Sequence, residues 1–265
     1  MLFRSRALAL ADDWPRLLDV VDWVCCNPRP GIYLRQVDIA GVDSKFIENH
    51  RVPLAELLDL ALPAEAVETA FGGRAGFCRR YGFRDKPVHI RFRVLDPEIA
   101  PFATGTDQDI TVTAQTFARL DLPPKRIFIT ENEINFLAFP ATGKSLVVFG
   151  AGYGFDMLSR ACWLNDCQLF YWGDIDTHGF AILDQLRAHF PHVRSFLMDK
   201  ETLMSHRSFW DVEPRPESRE LPRLTPEESE LFDDLRFNRL GKHLRLEQER
   251  IGFKWVLERM KRETK

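Results

Sequence analysis

The chain is predicted to be an α/β protein, with a four-stranded parallel sheet flanked by helices, preceded by a partial winged-helix-like α+β region and followed by C-terminal helices. Three observations carry this. From Lys125 onward, apolar runs at 126–130, 145–149, 167–172 and 193–198 alternate with stretches of helical spacing, the rhythm of parallel strands joined by helical crossovers. Acidic residues stand just after two of those runs, Glu131 after Arg126–Thr130 and Asp174 with Asp176 after Cys167–Gly173. Upstream, helical segments joined by tight turns lead into a ribbon of alternating residues.

With 265 residues, 45% of them hydrophobic, the chain can bury a substantial core and is long enough for one large or two smaller domains. No apolar run reaches the roughly 20 residues needed to cross a bilayer. The start, Met1–Ala7, is too short and too lightly apolar for a secretory signal, so a cytoplasmic protein without membrane attachment is expected. Five cysteines form no CxxC pair and no zinc-type spacing, which points to reduced, mostly buried thiols.

Trp14–Cys26 has apolar positions at 14, 17, 18, 21 and 24, a helical spacing that stops at Asn27-Pro-Arg-Pro-Gly31. Tyr33–Leu62 reads as short helices, Gly72–Gly82 as a glycine- and arginine-rich connection. Val88–Val94 alternates with period two and Asp109–Ala114 forms a second strand, together the expected wing. Residues 1–98 are therefore taken as the partial winged-helix-like DNA-binding region and 99–265 as the catalytic region, with a core at about 123–200 and a helical extension at about 225–262. Pro214, Pro216, Pro222 and Pro226 mark an irregular link, and Pro226–Met260 reads as helix, opened by the capping sequence Thr225-Pro-Glu-Glu228.

Parallel sheets collect functional groups at the carboxyl ends of their strands. Carboxylates converging there repel one another, and a divalent cation is the usual compensation. Glu131, Asp174 and Asp176 are thus the candidate catalytic and metal-binding residues, suited to Mg²⁺ or Mn²⁺ and to phosphoryl chemistry. Each has a plainer reading. Glu131 suits the first turn of a helix, Thr130 with Glu133 matches a capping box, and Asp176 can cap the helix that follows. His178 reads as a surface or supporting residue, and Gly179 as a point of close backbone approach.

Net charge is −3, but its distribution is uneven: seven Lys/Arg against three acids over 72–98, ten against four over 235–265, and eleven acids against five bases over 199–234. Basic segments supply the phosphate attraction on which nucleic-acid binding rests. Lys45, Arg51, Arg91 and Arg93 are the candidate DNA contacts. A rival motif, Gly150-Ala-Gly152-Tyr-Gly154, resembles a dinucleotide fingerprint, but Phe155 stands where its third glycine belongs. Tyr33, beside Arg35, is the tyrosine to consider as a nucleophile.

A strand-end Glu followed by Asp-x-Asp on a later strand resembles the Toprim domain of topoisomerases, primases and nucleases, in the version found in the A subunit of type IIB topoisomerases. Ile32–Glu48, Ile129–Pro140, Gly173–Gly179 and Arg245–Arg250 further resemble the JetD family of Wadjet anti-plasmid systems. That resemblance implies a Toprim-type core, with the family's metal acids on Glu131, Asp174 and Asp176. It implies a dimeric endonuclease that cuts double-stranded circular plasmid DNA with an SMC-type JetABC complex, and a further N-terminal segment ahead of Met1. The alternatives are a non-catalytic DNA-binding or regulatory subunit, and a topoisomerase VI A or recombination-type transesterase using a tyrosine.

Overall fold

A computed structural model describes residues 9–102, 108–150 and 155–263, which fall into two compact units, Met1–Lys86 and Pro87–Lys265. In the first unit, Trp14–Cys26 (α1) is helical over the predicted span and buries Leu17, Val20, Val21 and Val24 along one face. It stops where the backbone N–H of Asn27 turns back to the carbonyls of Trp23 and Val24. Ser44–Asn49 (α2), capped by the Asp43 carboxylate, leads into Arg51–Ala61 (α3), which packs against α1. Gly73–Arg80 (α4) is a helix where a connection was expected, because burying Phe77 and Cys78 outweighs the cost of its glycines.

Among the described residues of this unit there is no strand, only the isolated bridge between Ile39 and Val42. Two extended stretches are nevertheless stitched together: Gly31 N–H donates to the Gly82 carbonyl at 2.9 Å and Arg84 N–H to that of Ile32 at 2.8 Å. Gly82 has a φ of +75°, and a Cβ there would stand 2.5 Å from the Cα of Arg29, so only glycine fits.

In the second unit His89–Val94 (β1) and Asp109–Thr113 (β2) form the predicted ribbon, followed by Ala114–Phe117 (α5), Arg126–Thr130 (β3), Glu133–Ala138 (α6), Ser145–Phe149 (β4) and Gln168–Trp172 (β5). Thr177–His189 (α7), Arg194–Ser195 (β6), Lys200–Ser205 (α8), Asp211–Val212 (β7), Pro226–Arg236 (α9), Leu244–Arg245 (β8) and Phe253–Glu263 (α10) complete it.

The sheet is mixed and six-stranded, in the order β2-β1-β4-β3-β5-β6. β4, β3, β5 and β6 run parallel, while β1 pairs antiparallel with both β4 and β2. The ribbon expected as a wing is therefore the edge of this sheet. Ile90, Phe92 and Val94 of β1 are buried in the same core as the parallel strands, and β1 supplies β4 with the partner an edge strand would lack. β3 lies centrally, with Ile127, Phe128, Ile129 and Thr130 all buried, the continuous burial of a strand covered on both faces.

The helix expected over 226–260 is broken. α9 opens with the predicted reciprocal cap between Thr225 and Glu228, but the chain leaves the helix after Arg236, passing through positive φ at Asn238 (56°) and His243 (48°). β8 then pairs with β7, a short 3-10 turn follows at Gln248–Arg250, and α-helix resumes only at Phe253. Only Cys78 and Cys167 of the five cysteines are buried. Among the described residues no helix is long and apolar enough to cross a membrane.

Beneath α7 and α9, Arg187 and Glu228 form a buried bidentate pair, with Arg187 also donating to the Val193 and Arg223 carbonyls. Removing one partner strands a charge away from water. Arg187→Ala is expected to lower stability by about 3–5 kcal/mol in urea unfolding. Arg194→Ala, which breaks an exposed pair with Glu263, should change it by less than about 1 kcal/mol.

Candidate functional site

Thr130 at the end of β3 is in register with Trp172 at the end of β5, so the chain leaves both strands at the same edge of the sheet. Glu131 emerges from one and Asp174 from the other, and with Asp176 they line one open cleft of roughly 350 Å³. The three predicted acids are thus brought together, each held by a different device.

Glu131 is fixed from below: its Oε1 accepts from the hydroxyl of Tyr171, at 2.7 Å, and Tyr171 is wholly buried in β5. Burial raises the Glu131 carboxyl above its ordinary range, the Tyr171 hydroxyl opposes this, and the charge of Asp174 adds to the rise. Burial, followed by the neighbouring Glu131 charge, pushes the Tyr171 hydroxyl well up, so it stays a proton donor to the carboxylate.

Asp174 is held by the segment 245–248. Its Oδ2 accepts two bonds from Arg245, and its Oδ1 accepts the Gln248 backbone N–H at 2.9 Å. A short bridge between Ile175 and Leu246, with bonds of 2.9 and 3.1 Å, fastens that segment to the turn. Asp176 is the N-cap of α7, accepting from Gly179 N–H at 2.7 Å, as its alternative reading anticipated. Gly179 is obligatory there because a Cβ would lie 2.1 Å from the Asp174 carbonyl oxygen. The close approach predicted for this glycine is made to the protein's own backbone.

Arg245 spans the site. Its guanidinium lies 2.5 Å from Asp174, 3.2 Å from Asp176 and 3.1 Å from Glu247. Asp176 is nonetheless raised to about 6: burial is the main cause, Glu213 and Asp174 add to it, and Gly179 N–H and Arg245 only partly offset it. Glu213, buried at 2%, accepts from the Thr177 hydroxyl at 2.7 Å and from the backbone N–H groups of Thr177 and His178, both at 3.2 Å. It occupies the positive end of α7 and holds the helix start in place. His178 is exposed on the rim, its Nε2 2.5 Å from the Arg215 carbonyl.

Arg245, Gln248, Glu249 and Glu213 are site residues that sequence reasoning missed. The stretch Arg245–Arg250 was singled out only as a family-like motif, inside what read as a helix. Gln248 also accepts from Thr130 and Asn135, and Asn132 donates to Glu249, so this segment clasps the β3–α6 turn as well as Asp174. The capping box expected from Thr130 and Glu133 is not formed. Asn132 caps α6, and Glu133 pairs with Arg91.

The predicted DNA contacts are divided. In the second unit Arg91 is bound to Asp109 and Glu133, and Arg93 donates to the carbonyls of Phe136 and Leu137. In the first unit Lys45 is exposed on α2, and Arg51 donates to the Arg74 carbonyl at 3.0 Å. Of the glycine stretch, Gly152 and Gly154 lie outside the described residues; Gly150 N–H donates to the Thr130 carbonyl.

Among the described residues no three His, Cys, Asp or Glu side chains stand ready-made as a metal cage. The donor chemistry still fits a hard divalent ion, since five carboxylates, those of Glu131, Asp174, Asp176, Glu213 and Glu249, line the cleft against the single guanidinium of Arg245.

The family described as Wadjet protein JetD, C-terminal, matches residues 82–260, and one described as an uncharacterised protein conserved in bacteria, N-terminal, matches residues 3–59. No curated protein matches the chain. The chain belongs to the JetD family.

The raised Asp176 carboxyl has a testable sign. Its ordinary value is 3.8 and its folded value about 6, so between those pH values the folded state holds an extra proton and stability falls as pH rises. In metal chelator, Asp176→Asn, which can keep the cap, should flatten that fall. Above pH 7 it should be more stable than the parent by about 1–3 kcal/mol, read by thermal melts across pH 4–8.

Proposed function

We propose that this JetD-family chain is a divalent-metal-dependent DNA endonuclease of a Wadjet anti-plasmid system. Its catalytic half is of the Toprim type, hydrolysing phosphodiester bonds of circular duplex DNA together with an SMC-type JetABC complex and as a homodimer. The observation that carries this reading is the convergence of Glu131, Asp174 and Asp176, from the ends of adjacent parallel strands, on one open cleft. Neither capping nor helix-start preference requires the Glu131 carboxylate to be buried toward two others.

Mg²⁺ bound by these carboxylates would polarise the phosphate and make the attacking water more acidic. The chain's own residues do the rest. Gln248 N–H and Gly179 N–H hold one oxygen of each aspartate, which leaves the Oδ2 atoms, now paired with Arg245, as the ligating oxygens. Tyr171 holds Oε1 of Glu131, so Oε2 is the atom that would ligate or take the proton of water. Arg245 keeps the aspartates together, and it is the cation whose place beside them a bound metal would take.

A silent subunit is the second reading, favoured by one observation: Arg245 and the α7 cap already give both aspartates a structural task. Nicking of supercoiled plasmid with Mg²⁺ or Mn²⁺ separates the two. Glu131→Gln and Asp174→Asn are expected to cut the rate by at least about 100-fold, the loss of several kcal/mol of transition-state stabilisation. Activity equal to the parent would remove these acids from the mechanism. A covalent protein–DNA adduct on a denaturing gel would instead point to a tyrosine transesterase. Arg245→Gln is expected to melt at lower temperature in chelator and to show a larger upward shift on adding Mn²⁺ than the parent, because the metal no longer competes with a guanidinium.

A further inference from the structure

Several cations of the second unit are tied down: Arg91 on two carboxylates, Arg93 on two carbonyls, Arg187 and Arg245 on buried or half-buried acids. A group of cations without such partners lies in the first unit. There an open cleft of roughly 610 Å³ is lined by Arg35, Arg51, Arg84 and Lys86 against the acids Glu48 and Asp85. Asp85 is also shared, lying 3.9 Å from Arg79 and accepting the Lys86 backbone N–H. Among the described residues the side chains of Arg35, Arg84 and Lys86 have no ion pair or hydrogen bond, and all three are exposed.

Their grouping is built rather than incidental. The bonds Gly31–Gly82 and Arg84–Ile32 clamp residues 31–32 and 82–84 side by side, and Arg35, Arg84 and Lys86, on and just beyond these stretches, line one cleft with Arg51 of α3 and Ser44 of α2. Gly82, which no other residue can replace, sets that clamp. Tyr33, 40% exposed, stands among the lining residues and has a hydroxyl able to donate. Unpaired like charges held together destabilise a fold unless an anion covers them. A single phosphate would leave most of the cleft empty, whereas a polyanion would follow it.

We propose that this cleft takes the phosphodiester backbone of double-stranded DNA, with Arg35, Arg84 and Lys86 on phosphate oxygens and Tyr33 donating beside them. It contributes affinity without sequence preference, since it offers charge and a hydroxyl to the backbone and no element to a groove. The choice of DNA rests on the nuclease reading above, while the cleft itself does not.

The test is anisotropy of a fluorescein-labelled duplex of about 30 base pairs, titrated with the full chain in EDTA over a series of salt concentrations. For Arg84→Glu/Lys86→Glu, affinity near 0.1 M salt should fall at least about tenfold, and the slope of log affinity against log salt should shrink by about two, one unit per lost phosphate contact. Arg35→Ala, a milder change, should lower the slope by about one. Because these side chains are exposed, melting temperatures should match the parent. Unchanged affinity and slope, or no duplex binding by the parent, overturns the cleft. Duplex binding lost in the double variant while no chain nicks plasmid would keep the cleft and sink the nuclease reading. Nicking by the parent with undiminished binding by the double variant would do the reverse.

Discussion

A guanidinium held between two carboxylates at the end of β5 is the contact that organises the second unit of the chain. Asp174 and Asp176 stand one residue apart on a tight turn, partly buried, with Glu131 and Glu213 close by. In that setting their charges would repel strongly at reduced dielectric. Arg245 relieves this, and to do so the chain between α9 and α10 must leave the helical path, pair β8 with β7 and bridge Leu246 to Ile175. The interruption of the C-terminal helix and the shape of the site are one structural event.

The surrounding fold serves the same end. Parallel pairing of β3 with β5 brings their carboxyl ends level, and the buried aromatic layer of Phe128, Phe170 and Phe196 beneath keeps the two strands rigid relative to each other. Tyr171, on the opposite face of β5 against Phe155, reaches Glu131, so the carboxylate is positioned by the core rather than by a loop. Glu213 and Asp176 both terminate α7, one through the Thr177 and His178 amides and one through Gly179. Positioning is therefore shared among strand ends, a helix start and a returning segment, the kind of over-determination that lets a site hold unfavourable charge.

Local patterns foretold much of this. The apolar runs at 126–130 and 145–149 coincide with β3 and β4, the helical spacing from Trp14 with α1, and Thr225 with Glu228 forms its cap as written. These elements were legible because the physics that makes them is local: periodic burial and nearby hydrogen bonds. Other elements were misread where two local options were nearly equal. The β1–β2 ribbon alternates as a wing would, and only the need of β4 for a neighbour puts it in the sheet. Thr130 and Glu133 have capping-box spacing, yet Thr130 is kept in β3 by pairing on both sides, which leaves Asn132 to cap.

Composition and order of residues by themselves determined that an α/β unit forms, that a Glu and an Asp-x-Asp follow two of its strands, and that a helical region rich in arginine precedes it. They could not say that Arg245 comes back across 71 residues to lie between those aspartates, or that Arg91 and Arg93 are turned inward while Arg35, Arg84 and Lys86 are left unpaired. Spacing along a chain reports what a residue meets within a turn or two. Which charges find partners is settled by through-space energies between distant segments, and those exist only once the backbone has closed on itself.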